Sequence, residues 1–449
     1  MIDNLAFLPI SQLSLLIARR EISPRELLDH YLDRIETLNP TLNAFLSVRA
    51  DEARREADLA GKAIVDGESL GPLHGISIAI KDNIDVAGEI TTAGSPTLRD
   101  NRATADADIV ARLRAAGVII IGKTNLHEFA QGATTINPHF GATSNPWNIA
   151  LSPGGSSGGS AVAVSAGLCA AAIGTDTGGS IRLPSALCGV TGIRPIAGSL
   201  KMAGIVPVSQ TLDMVGPLTR TALDGWLILN ALGVASSPPA QPVLDVPKGL
   251  RIAIPRDDYF WSRVDPQITV LFESAVEVLT TLGAEQVEIT LPRVGEASRA
   301  AGVISAVESA AYHRKLLETP EVFGEDVRRV LERGARHTSE EYASAIQTGV
   351  EWRADLLAVL EQVDVITLPT SPVFAPTIDA PDPEIVKNLL RFTFPFSLGG
   401  LPSLSVPCGF NEAGHPVGMQ FVGKDAESIL GAATTYQAAT AWAERHPTV

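Results

Sequence analysis

Cysteine is scarce in this sequence. Its 449 residues hold three, Cys169, Cys188 and Cys408, with no C-x-x-C spacing and an odd count. That excludes a disulfide framework and fits a reducing, cytoplasmic setting. Charge is scarce too, at 19% of residues, below the ~25% of typical soluble domains. Basic charge is the scarcer sign: Lys+Arg number 35 against 50 Asp+Glu, a net charge of −15. A broad basic face for nucleic acid is therefore not expected. Residues 1–11 lack a basic n-region and carry Asp3, so no signal peptide is expected. No apolar run approaches the ~20 residues that a spanning helix needs. Aromatics are only 5%, yet the apolar fraction of 45% is that of a globular chain.

The charge deficit is local. Residues 129–193 carry only Asp176 and Arg182, and residues 129–175 carry no Asp, Glu, Lys or Arg at all. Pro138, Pro146, Pro153 and the run from Gly154 to Ser160 interrupt this stretch. Its one helix-like part, residues 161–172, is short and rich in Ala, Val and Ser. It reads as buried core, not as a membrane span.

Element signals run along the whole chain. Ser23-Pro24-Arg25-Glu26 is an N-cap, a proline at the first helical position and a capping-box glutamate, predicting a helix to about residue 38. Helices are predicted over 50–65, 106–116, 161–167, 269–282 and 426–444. Strands are predicted over 75–81, 118–121, 169–174, 250–254, 285–289, 364–368, 403–407 and 417–422. The segment 296–362 is helical and charged in composition. This order points to an α/β layered fold. The proline-rich break at 236–242 is a candidate boundary, but later strands are expected to return to one large sheet.

Three features fall in or beside the charge-poor stretch. Lys81 ends an apolar strand, Ser156 sits in a Gly/Ser loop, and Gly178-Gly179-Ser180 follows Thr175-Asp176-Thr177. Singly, each is bland: a solvated strand end, a tight turn, a glycine turn. Jointly they supply the parts of acyl transfer. A serine nucleophile needs a base and backbone N–H donors for the oxyanion. A lysine serves as base only when neutral, and desolvation in charge-poor surroundings favours that form.

These segments resemble the amidase signature family. The resemblance rests on Ile78-Ala79-Ile80-Lys81-Asp82-Asn83, Gly122-Lys123-Thr124-Asn125 with Glu128-Phe129, and Asn145-Pro146. It rests further on the Gly155–Ser160 run, Gly178-Gly179-Ser180-Ile181-Arg182, Pro184-Ser185-Ala186 and Asp213-Met214-Val215-Gly216-Pro217. The chain is similar to the family from about residue 10 to 235 and weakly beyond. The resemblance implies an α/β fold with a large mixed central sheet covered by helices on both faces. It also implies one amidase domain over 1–449, with N-terminal helices at 1–70 and the signature core at 71–235. Residues 236–449 would complete the sheet and carry a helical pocket region at about 296–362.

The resemblance also implies roles. Ser180 would form the acyl-enzyme, and Ser156, on a cis peptide in the family, would relay protons to neutral Lys81. Backbone N–H groups of Thr177, Gly178, Gly179 and Ser180 would form the oxyanion hole. Ser157, Asp176 and Arg182 would support the loops. Gln131, Gly132, Ala133 and Thr134 are candidate substrate contacts. No cofactor or metal is implied. The expected substrate is a small apolar or aryl amide, with carbamates and esters open to the same chemistry. No nucleic acid or membrane partner is expected, and the chain is expected to be a monomer or homodimer.

Other readings are weaker. Ser156 and Ser157 each satisfy G-x-S-x-G, with His313, His337 and His415 downstream, but residues 148–153 do not read as the strand that a nucleophile elbow requires. Cys169 and Cys188 read as core. No second ligand is spaced for zinc near His127 or His139, and no G-x-G-x-x-G opens a helix. Within the family, the alternative is the glutaminase component of a tRNA-dependent amidotransferase, which passes ammonia to a partner. Such chains hold the glutamine α-groups with an Arg and an Asp. No Asp or Glu occurs here between Glu384 and Glu412, which favours a free-standing hydrolase.

Overall fold

Ser23 caps the first long helix as its sequence predicts. Its Oγ accepts the Glu26 N–H at 3.1 Å, and the Glu26 carboxylate accepts the Ser23 N–H at 2.8 Å. The helix, Pro24–Leu42, runs past Pro40 and stops at Asn43, whose left-handed backbone ends it. The computed structural model describes residues 5–238 and 249–449. Most of the proline-rich break thus lies outside the described residues.

Among the described residues eleven strands form one mixed sheet. They are β1 (Phe45–Val48), β2 (Ser77–Lys81), β3 (Ile119–Thr124), β4 (Ala171–Asp176), β5 (Thr191–Arg194) and β6 (Met214–Thr219), then β7 (Arg251–Pro255), β8 (Glu285–Ile289), β9 (Val365–Pro369), β10 (Ser403–Phe410) and β11 (Pro416–Gly423). Their order is β1-β3-β2-β4-β6-β5-β10-β11-β9-β7-β8. Strands from both sides of the break therefore share one sheet, joined where β5 runs antiparallel to β10. Near one edge β3, β2 and β4 are parallel, and β9, β7 and β8 are parallel at the other. The middle is antiparallel.

Helices flank the sheet, so its central strands are buried on both faces. Every residue of β2, β3, β4, β6, β9 and β11 is buried. Ile78, Ile80, Ile120, Ile121 and Ile173 are fully buried within one apolar cluster. Each such side chain contributes about 1.5–3 kcal/mol over its exposed state. A second cluster gathers Phe260, Ile304, Trp352, Leu356 and Phe396 under the helices Val294–Tyr312 and Ser339–Leu360. Among the described residues no helix is long and apolar enough to cross a membrane.

The parallel pair β2 and β4 positions the chemistry. Ile80 is in register with Ile173, so Lys81 and Thr175 emerge at the same sheet edge. The small-residue helix Gly158–Ser165 packs on β4 and β2, and its N-terminal end presents the Ser156 loop at that edge. This helix starts three residues before its expected start. Gly158 and Gly159 are inside it because side chains there would strike Thr135 and the Asn125 backbone.

Candidate active site

Lys81 is fully buried, and its Nζ donates to Ser156 Oγ at 2.8 Å and to Thr175 Oγ1 at 2.8 Å. Burial pushes its pKa down from 10.5 to about 7, against the pull of Asp213 and Asp176. Removal from water penalises the ammonium, and among the described residues no carboxylate touches it to compensate. Asn83 Nδ2 donates to the same Thr175 Oγ1 at 3.3 Å. Thr175 is thus a contact of the lysine that the sequence pattern does not reveal. Its only signal is its place beside Asp176.

The Ser156 loop is held from three sides. The Gly155–Ser156 peptide is cis. Thr135 Oγ1 donates to the Gly154 carbonyl at 2.8 Å and accepts from Gly158 N–H at 3.1 Å. The His127 N–H donates to the Ser156 carbonyl at 3.2 Å. Ser157 Oγ donates to the Thr175 carbonyl at 3.1 Å, and Ser157 N–H donates to the Ser180 carbonyl at 3.2 Å. The two serine loops are therefore pinned together. Residues 148–153 form no strand before Ser156, as the elbow reading would need.

The second loop is organised by Asp176. Its carboxylate accepts from the N–H groups of Gly179 at 2.9 Å and Ile181 at 3.2 Å. It also pairs with Arg182 at 2.9 Å and Arg194 at 3.3 Å, all fully or almost fully buried. Burial would raise its pKa, but the two guanidinium groups outweigh this and hold the carboxyl well below the ordinary range. Arg182 continues to Gln420 Oε1 at 2.7 Å and Ser397 Oγ at 2.6 Å. Asp176 and Arg182 thus sit where support was expected, with Arg194 as an additional member.

The amide groups of this loop differ from expectation at one position. Among the described residues the N–H groups of Thr177, Gly178 and Ser180 carry no hydrogen bond. The Gly179 N–H is already given to Asp176, which corrects its expected place among the free donors. Gly179 has φ +133°, and a side chain there would strike Thr393. A side chain at Gly178 would meet the Phe394 ring at 2.8 Å. Glycine is required because residues 393–394 lie on the loop, where Thr393 Oγ1 donates to the Gly178 carbonyl at 2.5 Å.

Ser180 is 5% exposed and lines a cavity of about 190 Å³. Gln131 and Gly132 line it as expected. Ala133 and Thr134 do not: Ala133 packs with Leu183, Leu187 and Leu389, and the Thr134 carbonyl accepts from Ser152 Oγ at 2.6 Å. Positive φ values at Phe129, Ala130 and Thr135 coil this segment back on itself, so its later residues turn inward. The other wall comes from Gly302, Ser305 and Ala306 on helix Val294–Tyr312, Val330 and Arg333 on helix Glu325–Gly334, and Leu390 and Phe394. Helices within residues 296–362, where a pocket region was expected, thus form part of this wall. Its individual residues carry no sequence signal, since they reach Ser180 only through tertiary packing.

A family model described as "Amidase" matches residues 26–428. The chain is 39% identical to the A component of the glutamyl-tRNA(Gln) amidotransferase of Roseiflexus castenholzii, with 98% of each chain covered. A solved structure, described as a vestigial protein complex revealing the origins of an s-triazine catabolic enzyme, superposes with a TM-score of 0.89 at 31% identity, covering 96% of this chain and 98% of that one. The peptide amidase of Stenotrophomonas maltophilia superposes with a TM-score of 0.84 at 30% identity, covering 98% of each. These findings correct one expectation. A small-molecule enzyme with no nucleic acid in its setting, working as a monomer or homodimer, is overturned by a relative this similar that is one component of an enzyme named for glutamyl-tRNA.

Proposed function

The chain belongs to the amidase family of carbon–nitrogen hydrolases, and from that premise we propose that it cleaves a carboxamide through a Ser180 acyl-enzyme, as the ammonia-releasing component of an amidotransferase with glutamine as donor. The observation that carries the amidotransferase reading is the 39% identity to an amidotransferase A component over 98% of both chains.

The chemistry follows from the site. Ser180 Oγ attacks the amide carbonyl carbon while its proton passes to Ser156 Oγ, and the Ser156 proton passes to neutral Lys81 across their 2.8 Å hydrogen bond. Charge develops on the carbonyl oxygen, where the unpaired N–H groups of Thr177, Gly178 and Ser180 stabilise it. The C–N bond then breaks. The lysine's proton returns through Ser156 to the departing amine, which leaves as ammonia when the amide is primary. Water attacks the acyl-enzyme by the same relay and releases the acid. Ser157 and the Asp176–Arg182 pair hold the two loops in register for these transfers.

A second reading has its own support. Val330, Leu390, Phe394 and Ala306 line the cavity and, among the described residues, no carboxylate does, which suits a less polar acyl or aryl amide, with carbamates or esters open to the same oxyanion chemistry. One experiment separates the two. The chain is purified from its own host with whatever copurifies, and product release is measured from glutamine and from a panel of acyl-p-nitroanilides and p-nitrophenyl carbamates. Glutamine turnover with a copurifying partner protein, lost in Ser180→Ala, supports the first reading. Turnover of the aryl amides alone by the isolated chain selects the second.

A further inference from the structure

Among the described residues Arg333 is the one charged residue lining the cavity beside Ser180. Its side chain is exposed and holds no hydrogen bond or ion pair among the described residues. Its neighbours differ: Arg328 and Arg336 both approach Glu332, at 3.8 and 3.9 Å. An arginine left unpaired at a reaction cavity is a ready partner for a carboxylate, which it binds with two parallel N–H donors.

The opposite charge is missing. Among the described residues no Asp or Glu lines the cavity. Three acidic groups on the surrounding elements, Glu308, Asp326 and Asp213, are already committed. Glu308 accepts from Thr211 N–H at 2.9 Å and Tyr342 Oη at 2.7 Å, and also binds Ser209. Asp326 is held by His127 Nε2 at 2.8 Å. Asp213 accepts from Thr177 Oγ1 at 2.5 Å and Val208 N–H at 2.8 Å. A glutamine entering with its side-chain amide at Ser180 would find a cation for its α-carboxylate and no anion for its α-ammonium. An ammonium desolvated without a partner is penalised, and a site gains selectivity for a group only by pairing with it.

We infer that this cavity selects its substrate by a carboxylate alone, so that the substrate class is the monoamides of dicarboxylic acids, without recognition of an α-amino group. The inference rests on carboxamide hydrolysis at Ser180 and departs from glutamine as a uniquely preferred donor. Arg333 is the specificity-determining residue.

The test compares four amides that share the butanamide skeleton, by ammonia release from the full protein with any copurifying partner. They are glutamine, glutaramate (glutamine without its amino group), 4-aminobutanamide (glutamine without its carboxylate) and butanamide. The expected result is a kcat/KM for glutaramate at least equal to that for glutamine, with both above the two amides lacking a carboxylate by about tenfold or more, the size of a charged hydrogen-bond pair. Arg333→Met should shrink that advantage through KM, and Arg333→Lys should keep part of it. Because Arg333 is exposed and unpaired, both variants should fold, which a thermal melt checks. Glutamine preferred over glutaramate by about tenfold or more overturns the inference and leaves the glutaminase reading standing. Glutaramate cleaved with glutamine untouched upholds the inference and removes glutamine as donor. Butanamide cleaved as well as glutaramate overturns it, and ammonia from none of the four overturns both.

Discussion

Lys81 and Asp176 are buried charges with opposite fates, and each makes a prediction. Lys81 has its pKa pushed down to about 7 by burial, so it is largely neutral just above neutral pH and becomes protonated below it. A base must be unprotonated to accept the serine proton. The rate of acyl transfer should therefore fall as pH drops through about 7, approaching a tenfold loss per unit below it. A kcat/KM profile on any cleaved amide checks this, and a flat profile down to pH 5 in folded protein removes the lysine from the role of base. Asp176 is the reverse case, an ionised carboxylate held by Arg182 and Arg194. Asp176→Asn keeps the shape but removes the carboxylate that, among the described residues, alone lies within ion-pair distance of the buried Arg182 and Arg194. Breaking such a buried pair costs about 3–5 kcal/mol. The expected outcome is a large fall in chemical-denaturation stability together with loss of turnover, since the Gly179 and Ile181 N–H groups lose their acceptor too. Lys81, Ser156 and Ser180 are legible in the sequence only jointly, through the motifs shared with the amidase family, since each is bland alone. Thr175 and Arg333 are not, because only the register of β2 with β4 and the packing of a distant helix bring them in.

At the scale of elements, helix Glu325–Gly334 carries Val330 and Arg333 to the cavity, and its N-terminal end is tied to the segment that also pins the Ser156 loop. Asp326 Oδ2 pairs with His127 Nε2 at 2.8 Å, and the Gly324 N–H donates to the buried Glu128 carboxylate at 2.7 Å. Phe129 and Phe323 pack edge to face between them, with ring centroids 5.7 Å apart. Asp326→Ala should release the helix end while leaving Lys81, Ser156 and Ser180 untouched. The expected signature is a raised KM with a smaller change in kcat, read by steady-state kinetics on the best substrate; an equal fall in kcat at unchanged KM would place the effect on the chemistry instead. Element signals are most legible where capping and periodicity are strong, as at Pro24–Leu42 and Ala50–Val65. The strands Thr191–Arg194 and Met214–Thr219 have no such signal, being short, wholly buried and without alternation. The closing helix is shorter than expected, ending at Ala438 before a separate turn at Trp442–Glu444.

At the scale of the molecule, the active loops lie on the seam between the two parts of the chain. Strand β5 meets β10 through Arg194, Ile193 and Gly192 against Ser403, Leu404 and Ser405. The same seam is crossed by Arg182 to Gln420 and Ser397, and by Thr393 to the Gly178 carbonyl. One apolar cluster runs through both parts, from Ile173 and Ile193 to Val365, Leu404 and Phe421. Charge poverty in residues 129–193 has its physical cause here, since this stretch forms the centre of the sheet and the floor of the site. A sheet continuous across the seam, with a buried ionic network through it, should open as a unit. Hydrogen exchange followed by mass spectrometry through a urea series tests this directly. Peptides covering β4 (Ala171–Asp176) and β9 (Val365–Pro369) should lose protection at the same urea concentration. Two separated midpoints, with β9 opening while β4 stays protected, would show that the parts melt independently. In that case the Arg182–Gln420 link contributes little to the loop that holds Ser180.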